Sequence, residues 1–336
     1  RHQKRSKGSL LQVQGRLGLR RLRERAAASV MGLWISRHKG VAVLPEHRTE
    51  RWLELRRAVL HCRLKGEDMT EKEFERLVEF LESRYGINLA SKKAIVQGRL
   101  DNYLARNGFS SYEEYLNAVE RDRTGHELQN MLNILTTNHT YFWREPDHFI
   151  FLRDVILPWI IKKEQHSHDI RIWSGASSSG EEPYTIAMVV KEFLGLNYNG
   201  WNSQLLATDL SSEVLQYAMK GVYLKEKIEV LPPTWQRANF KRLDEFNYQV
   251  KPELRKNVMF RQFNLMNDFP FKNKFHCIFL RNVMIYFSED TKRELVNKIY
   301  NVLEPGGYFI IGNTENIDKE ASGLDFVRPS IFRKPM

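Results

Sequence analysis

Two adjacent carboxylates, Glu181 and Glu182, follow a turn of small residues, Gly175-Ala-Ser-Ser-Ser-Gly180. A third, Asp209, closes the run Gln204-Leu-Leu-Ala-Thr-Asp209. A turn with nothing larger than serine lets a ligand come close to the backbone, and the N–H groups of a helix starting there face it. The dinucleotide spacing G-x-G-x-x-G is absent, and Gly175 to Gly180 has phosphate-loop spacing but Glu181 in place of the lysine. Two carboxylates would repel a pyrophosphate and suit an ammonium or sulfonium. An acid closing the next strand accepts hydrogen bonds from a ribose diol; the same residue can instead cap the helix starting at Ser211. Adenosyl ribose with a cationic tail describes S-adenosylmethionine, whose demethylated product is S-adenosylhomocysteine.

The elements that must position these residues alternate strand and helix. Ile170, Ile172 and Trp173 supply strand propensity, Pro183 suits a first helical turn, and Ile186 to Leu194 carry a helical apolar face that stops at Gly195. Strands are also expected at Asn257 to Phe263, Phe275 to Leu280 and Tyr308 to Ile311, a helix over Glu289 to Leu303, and an antiparallel edge strand within Phe326 to Phe332. Between Gly221 and the strand at Asn257 the rhythm breaks at Pro232-Pro233, and a small β insertion is expected around 232–257. Ahead of the sheet, Thr70-Glu-Lys-Glu73 is a capping box, and four short helices over 69–130 make a small bundle. The second of these takes Ile95, Val96, Leu100, Tyr103 and Leu104 as its apolar set and carries Lys92, Arg99 and Arg106 seven residues apart, as a solvated face or a docking face for an acidic partner helix. The fold class is α/β: a doubly wound sheet over 131–336, with an N-terminal helical domain and an inserted antiparallel β-subdomain.

Net charge +11 would ordinarily point to nucleic acid, but its distribution does not. Residues 1–68 hold 17 Lys and Arg against 6 Asp and Glu, and the remainder holds 35 of each. No nucleic-acid partner is expected. Cys62 and Cys277 make neither a disulfide framework nor a metal cluster, so no metal is expected and the cytoplasm is the expected location. The longest apolar runs fall short of the roughly 20 residues of a membrane helix, so no membrane insertion is expected. Residues 1–68 are read as a basic extension, disordered or foreign to the natural protein with Met69 as its start, since Lys65-Gly-Glu-Asp68 can be encoded by bases that form a ribosome-binding site; the alternative is a genuine basic tail that holds the protein near anionic lipid.

Polar Asn138, Thr140 and Arg144 alternate with Tyr141, Phe142 and Trp143 in the linker before the sheet. Together, Thr136-Thr-Asn-His-Thr-Tyr-Phe-Trp-Arg-Glu145, Ser178-Ser-Gly-Glu-Glu-Pro-Tyr-Thr185, Ala207-Thr-Asp209, Arg281-Asn-Val-Met-Ile-Tyr-Phe287 and Gly306 to Asn316 resemble, in order, the motif set of the chemotaxis receptor methyltransferases, the CheR family. The resemblance runs from about Met69 to the C-terminus. It departs at Ser179, Trp143 and Asn313, where the family favours threonine, phenylalanine and histidine. It implies methyl transfer from S-adenosylmethionine to glutamate side chains on the cytoplasmic methylation helices of membrane chemoreceptors, by a monomer. It also implies that Asn138, Thr140, Arg144, Glu182, Asp209, Asn264, Leu265, Arg281 and Asn282 contact the cofactor, with Arg144 and Tyr286 serving catalysis. The alternatives are another substrate on the same fold, or a catalytically silent cofactor-binding module.

Overall fold

The computed structural model describes residues 68–136 and 139–336. The expectations for residues 1–67 and for Asn138 lie outside the described residues.

Helix α1 (Glu71–Tyr85) opens on the Thr70–Glu73 capping box, with both reciprocal hydrogen bonds made, and closes on Gly86. Helices α2 (Lys93–Asn107), α3 (Tyr112–Arg121) and α4 (His126–Leu135) follow. Ile95 does not belong to the buried set expected of α2: it is exposed, while Val96, Leu100 and Leu104 are buried. Nor is the basic stripe on α2 uniform. Arg99 Nη1 donates to the carbonyls of Ile134 and Leu135, 3.3 and 2.8 Å away, which satisfies the end of α4.

After the linker, α5 (Pro146–Phe151) and α6 (Leu157–Lys163) are joined by a π turn over Leu152–Ile156. Pro158 explains the widening, because it has no N–H to donate and its ring crowds the preceding turn. The main sheet then takes β1 (Ile172–Gly175), α7 (Glu181–Leu194), β2 (Leu205–Asp209), α8 (Ser212–Lys220), β6 (Val258–Gln262), β7 (Phe275–Leu280), α12 (Glu289–Val302) and β8 (Leu303–Ile311). Its order is β6-β2-β1-β7-β8-β10-β9, and the first five strands are parallel. The single edge strand expected within Phe326 to Phe332 is instead a hairpin, β9 (Asp325–Arg328) and β10 (Ile331–Arg333), with β10 antiparallel to β8. Strand alternation divides the core. Cys277 and Phe279 join Phe149, Leu157 and Ile186 on one face, and Ile278 and Leu280 join Trp173 and the helical bundle's Leu77, Leu100 and Leu132 on the other.

A separate antiparallel sheet, β3-β5-β4, lies between α8 and β6 in sequence. Strand β5 (Asn247–Val250) falls where expected, but β3 (Val222–Leu224) precedes the expected start of the insertion, and Pro233 opens helix α10 (Pro233–Asn239) ahead of β4 (Phe240–Arg242). Helices α9 (Lys225–Ile228) and α11 (Pro252–Arg255) complete it, and α13 (Lys319–Ser322) precedes β9.

Candidate cofactor and methyl-transfer cleft

Chain connections run from β1 to β2 on one side, while β7 lies on the other, so a crevice is expected at the carboxyl end of β1. The turn after β1 is strained there. Ala176, Ser178 and Gly180 have φ of 55°, 48° and 95°. Trp143, Glu145 and Asn282 also have positive φ, so five of the seven described non-glycine residues in that state belong to the segments meeting at this crevice. Such strain costs of order 1–3 kcal/mol per residue and persists only where surroundings hold it. Here Ser177 N donates to Thr208 O, Ser178 N to Asp209 Oδ2, and the Tyr223 hydroxyl to Ser179 O at 2.7 Å. A Cβ on Gly180 would stand 2.8 Å from Ala218 Cβ, so only glycine fits. Tyr223→Phe is expected to lower stability by about 1 kcal/mol through the lost hydrogen bond, measured by urea unfolding.

The two adjacent acids part company. Glu181 is fully buried, accepts from Ser179 Oγ and Lys227 Nζ at 2.6 Å each, and does not line the cleft. The expectation that both carboxylates meet a cationic ligand is therefore corrected. Adjacent helical residues point about 100° apart, and only Glu182 is turned inward. Its Oε1 accepts from Ser174 Oγ at 2.7 Å and its Oε2 from Arg281 Nη1 at 2.8 Å. Asp209 accepts Ser178 N on one oxygen and Ser211 N on the other, at 2.8 and 2.9 Å. It bridges two loops, and the cap of α8 is Ser211 itself. Burial pushes the Asp209 carboxyl above its ordinary range, against the pull of the Ser211, Ser178 and Leu210 N–H groups.

The linker packs Phe142 and Trp143 inward, and presents Tyr141 and its polar groups to the cleft. Phe142 is fully buried against Tyr223 and Phe240, and Trp143 stacks on Phe149. Thr140 and Arg144 line the cleft. Arg144 Nη1 donates to His139 O at 2.9 Å, and its Nε lies 3.9 Å from Glu145. From the end of β7, Arg281 is buried; its Nη2 donates to Arg144 O at 2.5 Å and to Glu145 at 3.1 Å. Glu145 is raised by burial, but the charge and hydrogen bonds of Arg281 outweigh that and hold it below the ordinary carboxylate range. Asn264 and Leu265 after β6, and Asn282 and Tyr286 after β7, complete the expected residues that line the same cleft. Asn264 Nδ2 donates to Arg84 O at the end of α1, and Asn88 N donates to Tyr286 O, so the helical bundle closes the far wall. The cleft opens to solvent at its mouth.

Among the described residues, Ser177 Oγ and Arg281 Nε are buried without a hydrogen-bond partner, and both residues line this cleft. Buried polar atoms are nearly always satisfied, so these two mark where a ligand's polar groups belong. Glu182 and Asp209 nearby suit a cationic tail and a hydroxyl-bearing sugar. The residues present therefore fit S-adenosylmethionine.

Residues 138–331 match the family model "CheR methyltransferase, SAM binding domain", and residues 72–136 match "CheR methyltransferase, all-alpha domain". The chain belongs to the CheR methyltransferase family. It is an S-adenosylmethionine-dependent methyltransferase. A "Chemotaxis protein methyltransferase" of Borreliella burgdorferi is 40% identical over 80% of this chain and 95% of its own length. A "Probable chemotaxis protein methyltransferase" of Rhizobium etli is 34% identical over 69% and 87%. The "Chemotaxis protein methyltransferase" of Escherichia coli is 35% identical over 74% and 85%.

Sequence reasoning missed Glu145, Glu315 and Lys227. Glu315 accepts the backbone N–H groups of Gly312, Asn282 and Ile285 at 2.7, 2.8 and 3.3 Å, and so fixes the loop that carries Tyr286. The acid in Gly312-Asn-Thr-Glu-Asn316, directly after the last parallel strand, was the available signal.

Proposed function

We propose that this chain esterifies glutamate side chains on the cytoplasmic methylation helices of membrane chemoreceptors, giving γ-glutamyl methyl esters, and that it does so in the cytoplasm as a monomer. The observation that carries the reading is where the helical bundle meets the cleft. Lys92, at the start of α2, holds its ammonium 5.1 Å from the Tyr286 ring centroid, so a basic helix face begins at the cleft's mouth. Residues 69–130 are then a docking domain for acidic helices, and residues 131–336 the catalytic domain with its β insertion. No described helix is long and apolar enough to cross a membrane.

Bound S-adenosylmethionine supplies an electrophilic methyl group on a sulfonium. Asp209 would hold the ribose hydroxyls, and Asn264 and Leu265 would hold the adenine. Glu182, Arg144, Arg281 and Thr140 would hold the amino-acid end. No general base is required, because a free glutamate has a pKa near 4.3 and is already ionised at neutral pH. What this chain contributes is alignment, which supplies roughly 7–11 kcal/mol at best. Arg144, anchored on the His139 carbonyl, serves the cofactor side; tight pairing with the substrate carboxylate would stabilise the ground state and slow transfer. Asn282 and Tyr286 border the methyl position.

The reading is tested with methyl-labelled cofactor and receptor-enriched membranes. Label released as methanol by base identifies carboxyl esters; label that resists base on the same membranes refutes the substrate assignment. Arg99 is committed to the end of α4, so docking is tested at half-buried Lys92 and exposed Arg106. Lys92→Glu with Arg106→Glu should raise KM for receptor by roughly fivefold, less at high salt, with cofactor affinity unchanged. Wild-type KM in that double variant would reduce the stripe to a solvated face.

A further inference from the structure

Glu145 stands behind the cleft wall and touches every segment that forms it on that side. Its Oε2 accepts from Arg281 Nη2 and from Asn313 N at 3.1 Å each, and its Oε1 accepts from Asn282 Nδ2 at 3.2 Å. Arg144 Nε lies 3.9 Å from Oε1, and the ring of buried His148 brings Nδ1 to 3.4 Å from Oε2. The residue holds this place with a left-handed φ of 57°, and its side chain is only 14% exposed. Neither composition nor helix formation requires an acid here: it sits one residue before Pro146, with no capping bond from its side chain to α5.

We propose that Glu145 is a positioning residue for methyl transfer, which locks Arg281 and Asn282 after β7 and the Asn313 backbone after β8 against the linker segment that carries Arg144. Two cations, Arg144 and Arg281, and two anions, Glu145 and Glu182, form one ion-pair network in this wall. Removing the Glu145 charge has two consequences. Arg281 is left with Glu182 as its one ion-pair partner, which draws the guanidinium toward Glu182 and away from Asn282 and Asn313. The wall beside the cofactor's amino-acid end also becomes more positive by one charge. S-adenosylmethionine carries a net charge of plus one and S-adenosylhomocysteine none, so that excess charge selects against the first.

The inference rests on the methyl-transfer reading, and its test keeps the two apart. Calorimetry with each ligand and label transfer to receptor membranes are run on wild type, Glu145→Gln and Glu145→Asp, with rates counted per S-adenosylhomocysteine-binding site so that misfolded protein drops out. Glu145→Gln should lower kcat about tenfold with little change in receptor KM, and weaken S-adenosylmethionine several-fold more than S-adenosylhomocysteine. Glu145→Asp keeps the charge but not the reach, so it should restore the ratio of the two affinities while kcat stays reduced. A purely structural role predicts lower thermal stability in both variants with kcat per site and affinity ratio at wild-type values; that result overturns the proposal. If Glu145→Gln yields no folded protein, kcat per site in Glu145→Asp decides, and a value within twofold of wild type overturns it. A wild-type protein that binds both ligands but leaves receptor unmethylated defeats the substrate reading alone, because the affinity ratios still test Glu145.

Discussion

Arg281→Met is expected to lower stability by about 3–5 kcal/mol and to abolish measurable cofactor binding. The guanidinium side chain is 1% exposed, between Glu182 and Glu145, and it stacks over the Phe149 ring at 5.3 Å. Methionine fills much of the same volume, so the loss is one of charge rather than of packing. Glu145 and Glu182, 14% and 13% exposed, then lose that cation, and the cost of largely buried charge left without it outweighs the gain from a less polar side chain. The pH dependence gives an independent sign. In the native protein Arg281 holds Glu145 below its ordinary pKa, so Glu145 stabilises above the unfolded-state value and that contribution fades as pH falls through the folded value. Without Arg281 burial dominates, the folded pKa moves above the unfolded one, and stability is instead lost as pH rises through it. Urea unfolding at pH 5 and pH 8 should therefore show a deficit that widens with pH. A deficit below 1 kcal/mol, equal at both values, would mean that the network is hydrated and carries little of the cleft's order.

The same network shows what the sequence disclosed and what it withheld. The small-residue turn, Pro183 and the apolar face of α7 are local signals, and each maps onto the element it announced. Helix α1 likewise could be read to the residue at both ends from Thr70, Glu73 and Gly86. Glu181 and Glu182 could not be separated, because adjacency on a helix fixes the angle between two side chains but not the helix's rotation against the sheet. That rotation is set by Lys227 and Tyr223 of the insertion, 46 and 44 residues from the groups they bind. Arg99 presents the same difficulty: its seven-residue spacing with Lys92 and Arg106 reads as a surface stripe, yet the end of α4 lies over it. Glu145 and Glu315 gave no periodic signal at all. Their roles arise where loops from different strands converge, and the backbone of Trp143 and Glu145 is left-handed without a glycine to announce it.

Asp209→Ala should weaken S-adenosylmethionine and S-adenosylhomocysteine together, by about 1.5–3 kcal/mol, the loss expected for hydrogen bonds to a charged group. The ribose is common to both ligands, so an equal loss is the signature of contact there. The structure adds a condition that the motif alone did not contain. Asp209 already accepts Ser178 N and Ser211 N, and the Leu210 N–H also acts on it, so only part of the carboxylate's lone-pair capacity is left for a ligand hydroxyl. Asp209→Asn is not benign either, because its amide nitrogen must face one of those two backbone donors. Burial raises the Asp209 pKa above its unfolded value, so the ionised form costs free energy in the unliganded protein once pH has risen past the folded value. Ligand hydroxyls that donate to the carboxylate offset this cost. Affinity for both ligands should therefore fall as pH is lowered through that raised value, and the fall should vanish in Asp209→Asn. Isothermal calorimetry across that range separates the cases. Unchanged affinity for both ligands in Asp209→Ala would remove the ribose assignment, and a loss confined to S-adenosylmethionine would show that the carboxylate acts on the sulfonium charge instead.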